Sequence, residues 1–299
     1  PRAGEHHAFR ALAPAPRTAA ATAKARSFDI NSALLATGQI VLRDDGDAVS
    51  FFMNLFPAEF QRWTHVGVLS IEDGKPYVYD TVMTLLPLSV PGQPPTATSG
   101  GKMRREPLED YIAKQKVVAF YAPPAGGDPA QIAAYARRQY LLGTAFDPYF
   151  DDTDATRLYC AEIVARALQE SGIAVEKAPV RMNRSYVAVR DWLRIRATAL
   201  YLPAFVVNPS REVALWSPTF NRVQMDAFFE IRRELARRFD ERARLGHVFR
   251  WTGSALYFHD DVQRFIDDTE AAFSHFTGDL AAVRAEVRRR ADAFFRPVN

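Results

Sequence analysis

The chain has 299 residues, 48% hydrophobic and 24% charged, enough to bury a substantial core as one domain with an appendage or as two domains. Its formal net charge of +3 comes from 38 basic against 35 acidic side chains, a near balance that specifies no polyanionic partner. No run of about 18 apolar residues predicts a membrane-spanning helix, and a single cysteine excludes both an internal disulfide framework and a structural zinc site.

Residues 1–26 mix Ala, Pro and Arg with little apolar periodicity and are expected to form a flexible N-terminal segment. His6 and His7 lie adjacent in this polar tail, point in different directions and do not read as a metal pair. Residues 29–36 suit a short helix capped by Asp29 or Asn31, residues 39–43 a strand, and Asp44-Asp45-Gly46-Asp47 a turn. Residues 48–61 form an aromatic-rich helix or irregular segment; Phe51, Phe52 and Phe56 there are either core or one apolar wall of a cleft. Trp63 opens the strand that follows.

That strand, Trp63-Thr64-His65-Val66-Gly67-Val68-Leu69, is separated from Pro76-Tyr77-Val78-Tyr79-Asp80-Thr81-Val82 by an Asp73-Gly74 turn, the signature of a β-hairpin. With Asp73 and Gly74 as the two loop residues, Gly67 lies opposite Asp80. His65 and Gly67 share a face, so Asp80 sits diagonally across from His65. A carboxylate there fixes the tautomer of a histidine that takes a proton. A one-residue change of loop length brings Tyr79 or Thr81 to that position instead.

Residues 87–102, rich in Pro, Gly, Ser and Thr, form a long loop, either a functional cover or an insertion. A short helix over 108–114 and a strand over 117–121 follow, so the sheet has at least four strands. Residues 128–142 form an amphipathic helix capped by Asp128 and stopped by Gly143, with Ile132, Tyr135, Ala136, Tyr140 and Leu141 facing inward. The loop Asp147–Asp154 holds four aspartates but lacks the Gly and Glu of a calcium loop in register. Asp152 or Asp154 is expected to cap the next helix or its approach, with Tyr149 and Tyr159 beside the cleft.

Cys160 opens that helix, which runs to Leu168 and stops at Ser171-Gly172. A sulfur at a helix N-terminus faces unpaired N–H groups and the positive end of the dipole, which favour a thiolate and leave donors for an oxyanion. The alternative is a small buried hydrophobe.

Taken together, Gly38–Arg43, Trp63–Leu69, Gly74–Asp80, Pro107–Tyr111, Leu142–Asp147 and Leu158–Val164 resemble the permuted papain-like cysteine hydrolases, the YiiX-like branch of the NlpC superfamily, over roughly residues 28–215. In that branch histidine precedes cysteine, as here. The resemblance implies an α+β fold: a circularly permuted papain-like domain (27–215) with an antiparallel sheet and a cysteine helix, followed by an α-helical C-terminal extension (216–299). It implies Cys160 as nucleophile, His65 as base and then acid, and Asp80 as the orienting third member, where the family often has Glu. N–H groups of Cys160 and Ala161 would hold the oxyanion, with Tyr159 and Tyr149 lining the cleft and Phe51, Phe52, Phe56 and Trp63 contacting substrate. No cofactor and no metal are implied. The expected substrate is a peptide, cell-wall amide or peptide-like conjugate, with a lipid acyl ester or acyl transfer as the alternative. The expected location is the cell envelope or outside the cell.

Residues 221–245, 259–276 and 278–295 read as three amphipathic helices carrying Arg232, Arg233, Arg237, Arg238, Arg288, Arg289 and Arg290. That cluster is either a solvated face or a basic surface for an anionic polymer, a membrane surface or a protein partner, and in the latter case the chain is a non-catalytic binding protein on the same scaffold. His259-Asp260-Asp261 suits helix capping better than metal binding.

Overall fold

Alternating apolar residues between Ile40 and Tyr121 build most of a six-stranded antiparallel sheet, seen in a computed structural model that describes residues 32–55, 57–82, 101–180, 195–208, 210–240, 248–251 and 256–295. The strands are β1 (Ile40–Asp44), β2 (His65–Glu72), β3 (Lys75–Thr81), β4 (Met103–Pro107), β5 (Val117–Tyr121) and β6 (Glu212–Trp216), in the order β6-β5-β1-β2-β3-β4. The helices are α1 (Ala48–Asn54), α2 (Leu108–Ala113), α3 (Pro129–Leu141), α4 (Cys160–Glu170), α5 (Pro203–Val206), α6 (Arg222–Asp240), α7 (Asp260–Ala272) and α8 (Leu280–Phe294). The architecture is mixed α+β. The N-terminal segment 1–26, Phe56 and most of the 87–102 loop lie outside the described residues.

The β2–β3 register is the one an Asp-Gly turn dictates, with Glu72 paired to Lys75 and Val68 to Tyr79. Asp73 and Gly74 have φ of 49° and 76°, the left-handed pair whose twist matches that of the flanking strands. Side-chain alternation then sorts the sheet into two faces. Ile40, Leu42, Val66, Val68 and Val117 pack with α3 and α4. Val41, Leu69, Val78, Val118 and Phe120 pack with Leu108, Tyr111 and Ile112 of α2.

Helix α6 carries two apolar stripes. Phe228 and Phe229 join the core shared by the sheet, α3 and α4, and Trp63 meets Phe229 edge-on with ring centroids 4.9 Å apart. Ala227, Ile231 and Leu235 face a second core built with α7, α8, Phe51 and Leu55.

Several expectations from the sequence are corrected. On α3, Ile132, Tyr135 and Ala136 are buried, but Leu141 is 72% exposed and Tyr140, though it meets the Tyr79 ring of β3 edge-on, is at the surface. Neither Asp152 nor Asp154 caps α4 itself, whose N-cap residue is Tyr159; Asp154 caps the approach to it, accepting from the Thr156 amide and hydroxyl, and Asp152 pairs with Lys177. Arg232 and Arg238 are not on a solvated face: both are buried, Arg232 against Asp44 and Arg238 against Glu234 and Asp292. Strand β4, which no short-range pattern signals, forms the sheet edge beside β3.

Candidate active site

His65 is the first residue of β2, and its Nε2 lies 2.7 Å from Oδ2 of the buried Asp80 on β3. Gly67 makes this possible. A Cβ at that position would stand 2.8 Å from the Tyr79 carbonyl oxygen and 3.1 Å from the Asp80 Cβ, so any side chain would push the two strands apart next to the pair. With Nε2 held by the carboxylate, Nδ1 is the ring nitrogen left to exchange a proton.

Asp80 has a second partner that the sequence did not announce. Arg104 of β4, directly across from Asp80 in the ladder, donates from Nε to Oδ1 at 2.6 Å and from Nη2 to Oδ2 at 2.9 Å. Burial alone would raise the Asp80 pKa, but the bonds from His65 and Arg104 outweigh it and hold the carboxyl well below its ordinary range. Asp80 is therefore an anion at any pH where the protein is folded and His65 titrates. A forked guanidinium fixes a carboxylate's plane as well as its charge.

The cysteine arrives from the other side. Cys160 is the first residue of α4, and the Glu162 side chain accepts a long 3.4 Å bond from the Tyr159 amide in the manner of a capping box. Glu162 in turn accepts from Arg166 Nε at 2.8 Å. The backbone amides of Val66 and Ala161 pull the Cys160 pKa down. Ala161 was an expected donor at the site; Val66, the residue after His65, was not.

Electrostatically the resting thiol differs from expectation. Part of Cys160 opens on a cleft, yet burial of its sulfur dominates and pushes the thiol up to about 11, against the pull of the Val66 and Ala161 amides and of Arg43. Burial and the Arg43 guanidinium lower the His65 pKa, more than Asp80 raises it. Both shifts favour the uncharged forms, a protonated thiol and a neutral imidazole, on one depression.

Arg43 stands opposite His65 in the β1–β2 ladder. Its guanidinium lies over the Tyr111 ring at 5.1 Å and pairs with Asp45 at 3.4 Å. Arg43, Asp45, Thr64, His65, Thr81 and Cys160 line one continuous depression. A second depression meets the first at Cys160 and is walled by Trp63, Tyr159, Leu200 and Leu202.

Of the other candidates, Trp63 and Tyr159 lie at the cleft, and the Tyr159 hydroxyl accepts from the Tyr201 amide at 2.9 Å. Tyr149 lines a separate depression with Asp151, Asp152 and Arg196. Phe51 is fully buried in the second core against Phe249 and Phe258 and does not reach the cleft, because α1 turns that side toward the C-terminal helices. Phe52 packs edge-on against Phe249.

No family model matches the sequence, and no curated protein matches it. Among solved structures, that of the metalloprotein YiiX from Escherichia coli O157:H7 is similar over 61% of this chain and 98% of that chain, with 20% identity and a TM-score of 0.46. A likeness of that size carries no argument about chemistry. Among the described residues, no group of three or more His, Cys, Asp and Glu side chains is placed to hold a metal ion.

Proposed function

We propose that this chain is a cysteine hydrolase of permuted papain-like fold, in which the Cys160 thiol attacks a carbonyl carbon. His65 Nδ1 takes the thiol proton as the sulfur–carbon bond forms, then delivers it to the leaving group as the tetrahedral intermediate collapses. Asp80, fixed by Arg104, holds the imidazolium that forms between those steps. The Val66 and Ala161 N–H groups, which lower the Cys160 pKa, are the donors assigned to a developing oxyanion. Water then releases the acyl group.

The observation that carries this reading is the 2.7 Å contact of His65 with the buried Asp80, where His65 lines one depression with Cys160, which sits at a helix N-terminus. The bond assigned is an amide in a peptide or peptide-like conjugate. A lipid acyl ester, cleaved or transferred by the same residues, is the second reading, favoured by the apolar depression beside Cys160. Residues 216–299 are read as a helical extension bracing the sheet through α6.

The test is hydrolysis of a panel of acyl p-nitroanilides and p-nitrophenyl esters by the full chain and by Cys160→Ala. Turnover abolished in the variant supports the reading; turnover that survives it overturns the reading.

A further inference from the structure

His65 and Asp80 each have an arginine as ladder partner: Arg43 of β1 lies opposite His65, and Arg104 of β4 lies opposite Asp80. One residue meets both cations. Tyr111 of α2 is fully buried beside Val41 and Val78, with the Arg43 guanidinium 5.1 Å and the Arg104 guanidinium 5.7 Å from its ring centroid. β1 and β4 are separated in the sheet by β2 and β3, so the two long side chains converge on a ring that neither strand carries.

The ring face, rather than the phenol, makes these contacts. Among the described residues the buried Tyr111 hydroxyl has no hydrogen-bond partner. An unpartnered buried hydroxyl is a cost, so the ring is what this position supplies. Arg43 depends on it more than Arg104 does. Arg104 forks onto Asp80 and pairs with Glu106 at 3.3 Å, whereas Arg43 Nε has no partner among the described residues and the Arg43–Asp45 pair is 3.4 Å long. A buried guanidinium is attracted by the quadrupole of the ring it lies over. We propose that Tyr111 is a positioning residue of the candidate site: its ring seats Arg43 beside His65 and steadies Arg104 on Asp80. The proposal rests on the reading of Cys160 as nucleophile and His65 as base, and it names what holds that base in working order.

The groups around His65 come from several elements. Arg43 and Asp45 belong to β1 and the turn after it, and Asp80 to β3. Cys160 of α4 shares the depression, while Arg104 of β4 and Tyr111 of α2 reach the imidazole through Asp80 and Arg43. Burial and then Arg43 favour the neutral ring; Asp80 and Asp45 favour the imidazolium. A base must be neutral to accept the thiol proton. Seated on Tyr111, Arg43 keeps His65 in that form. Without the ring face its side chain is free to swing away, and His65 then holds its proton to higher pH. A loosened Arg104 acts in the same direction, because it leaves more of the Asp80 charge to the imidazolium.

The experiment measures acylation of Cys160 in the full chain by p-nitrophenyl acetate between pH 4 and 9, with Cys160→Ala as the blank. In that step the sulfur bonds to the acetyl carbonyl carbon, the thiol proton passes to His65, and p-nitrophenolate departs with the electron pair of the broken C–O bond. Below neutrality the rate follows the neutral fraction of His65. Tyr111→Leu is expected to move this acid limb up by about half a pH unit or more, an about threefold loss of rate at any pH below it. Tyr111→Phe keeps the ring and is expected to hold the limb within about 0.2 unit of the parent's. Loosened packing can also shift the limb, so Tyr111→Leu is repeated in Arg43→Gln. A shift that runs through Arg43 has already occurred there, and Tyr111→Leu then adds less than about half of what it adds to the parent. An unmoved limb in Tyr111→Leu, a limb moved by Tyr111→Phe, or shifts that simply add to that of Arg43→Gln overturn the positioning role and leave the thiol mechanism standing. Arg43→Gln alone must raise the limb, whatever the stability of Tyr111→Leu, and an unchanged limb there overturns the proposal as well. No acylation in the parent, or an acid limb that persists in His65→Ala, overturns the reading of Cys160 and His65 and the proposal with it.

Discussion

His65 Nε2 and Asp80 Oδ2 lie 2.7 Å apart because a two-residue turn, 49° and 76° in φ, sets the register of the strands that carry them. Replacing Asp80 by Asn keeps the shape but lets the side-chain amide donate to Nε2, which forces the proton onto Nδ1, the nitrogen that must accept from the thiol. Acylation of Cys160 by an activated ester is expected to fall about 10²–10⁴-fold in Asp80→Asn, measured by stopped-flow release of p-nitrophenolate.

Arg104 reaches the site most directly through its fork on Asp80. Removing the fork in Arg104→Gln raises the Asp80 pKa toward its ordinary value. A depressed carboxylate contributes stability that is fully present above its unfolded value near 4 and is lost as pH falls through the folded value. The thermal-stability gap between the parent and Arg104→Gln is therefore widest above about pH 5 and closes toward pH 2. With Arg104 about a third exposed, its plateau is about 1–2 kcal/mol. Melting curves between pH 2 and 8 check the sign.

The thiol itself is expected to titrate late. Burial pushes it up to about 11 while the imidazole is pushed down, so iodoacetamide alkylation of Cys160 climbs with pH and shows no plateau below neutrality. A low-pH plateau measured by intact mass would indicate a resting thiolate–imidazolium pair instead.

Gly67 is held by space rather than by an unusual φ. In Gly67→Ala the new methyl meets the Tyr79 carbonyl and the Val78 side chain at under 3.0 Å, and the strands must part. A loss of about 1–3 kcal/mol in urea unfolding is expected, with a larger proportional loss of acylation rate because Asp80 moves.

Arg232 and Asp44 form a buried pair, 3.1 Å apart, that joins α6 to the end of β1. Arg232→Ala leaves the Asp44 carboxyl buried without its guanidinium and is expected to cost about 3–5 kcal/mol in urea unfolding.

What the sequence made legible is what short-range rules fix. The Asp-Gly turn sets the hairpin register and hence the placement of Asp80 beside His65, and the apolar period after Cys160 sets α4. What it hid depends on distant pairings. Arg104 reaches Asp80 because β4 joins the sheet after the 87–102 loop, and no local pattern marks Met103–Pro107 as a strand. Leu200 and Leu202 reach the cleft by docking on α4 through Tyr159, some 40 residues away in the chain. Phe51 and Arg232 were misplaced for one shared reason: the second core lies under α1 and α6, so residues that look like a cleft wall or a basic face are interior.

The proposed chemistry depends above all on His65 passing a proton for Cys160. The most direct measurement is the single-turnover rate at which p-nitrophenyl hexanoate acylates Cys160 at pH 7.5, in the parent and in His65→Ala, with the Cys160→Ala background subtracted. A rate at least about 100-fold lower is expected in His65→Ala, with a melting curve that stays cooperative. Equal acylation rates in the two proteins would contradict it.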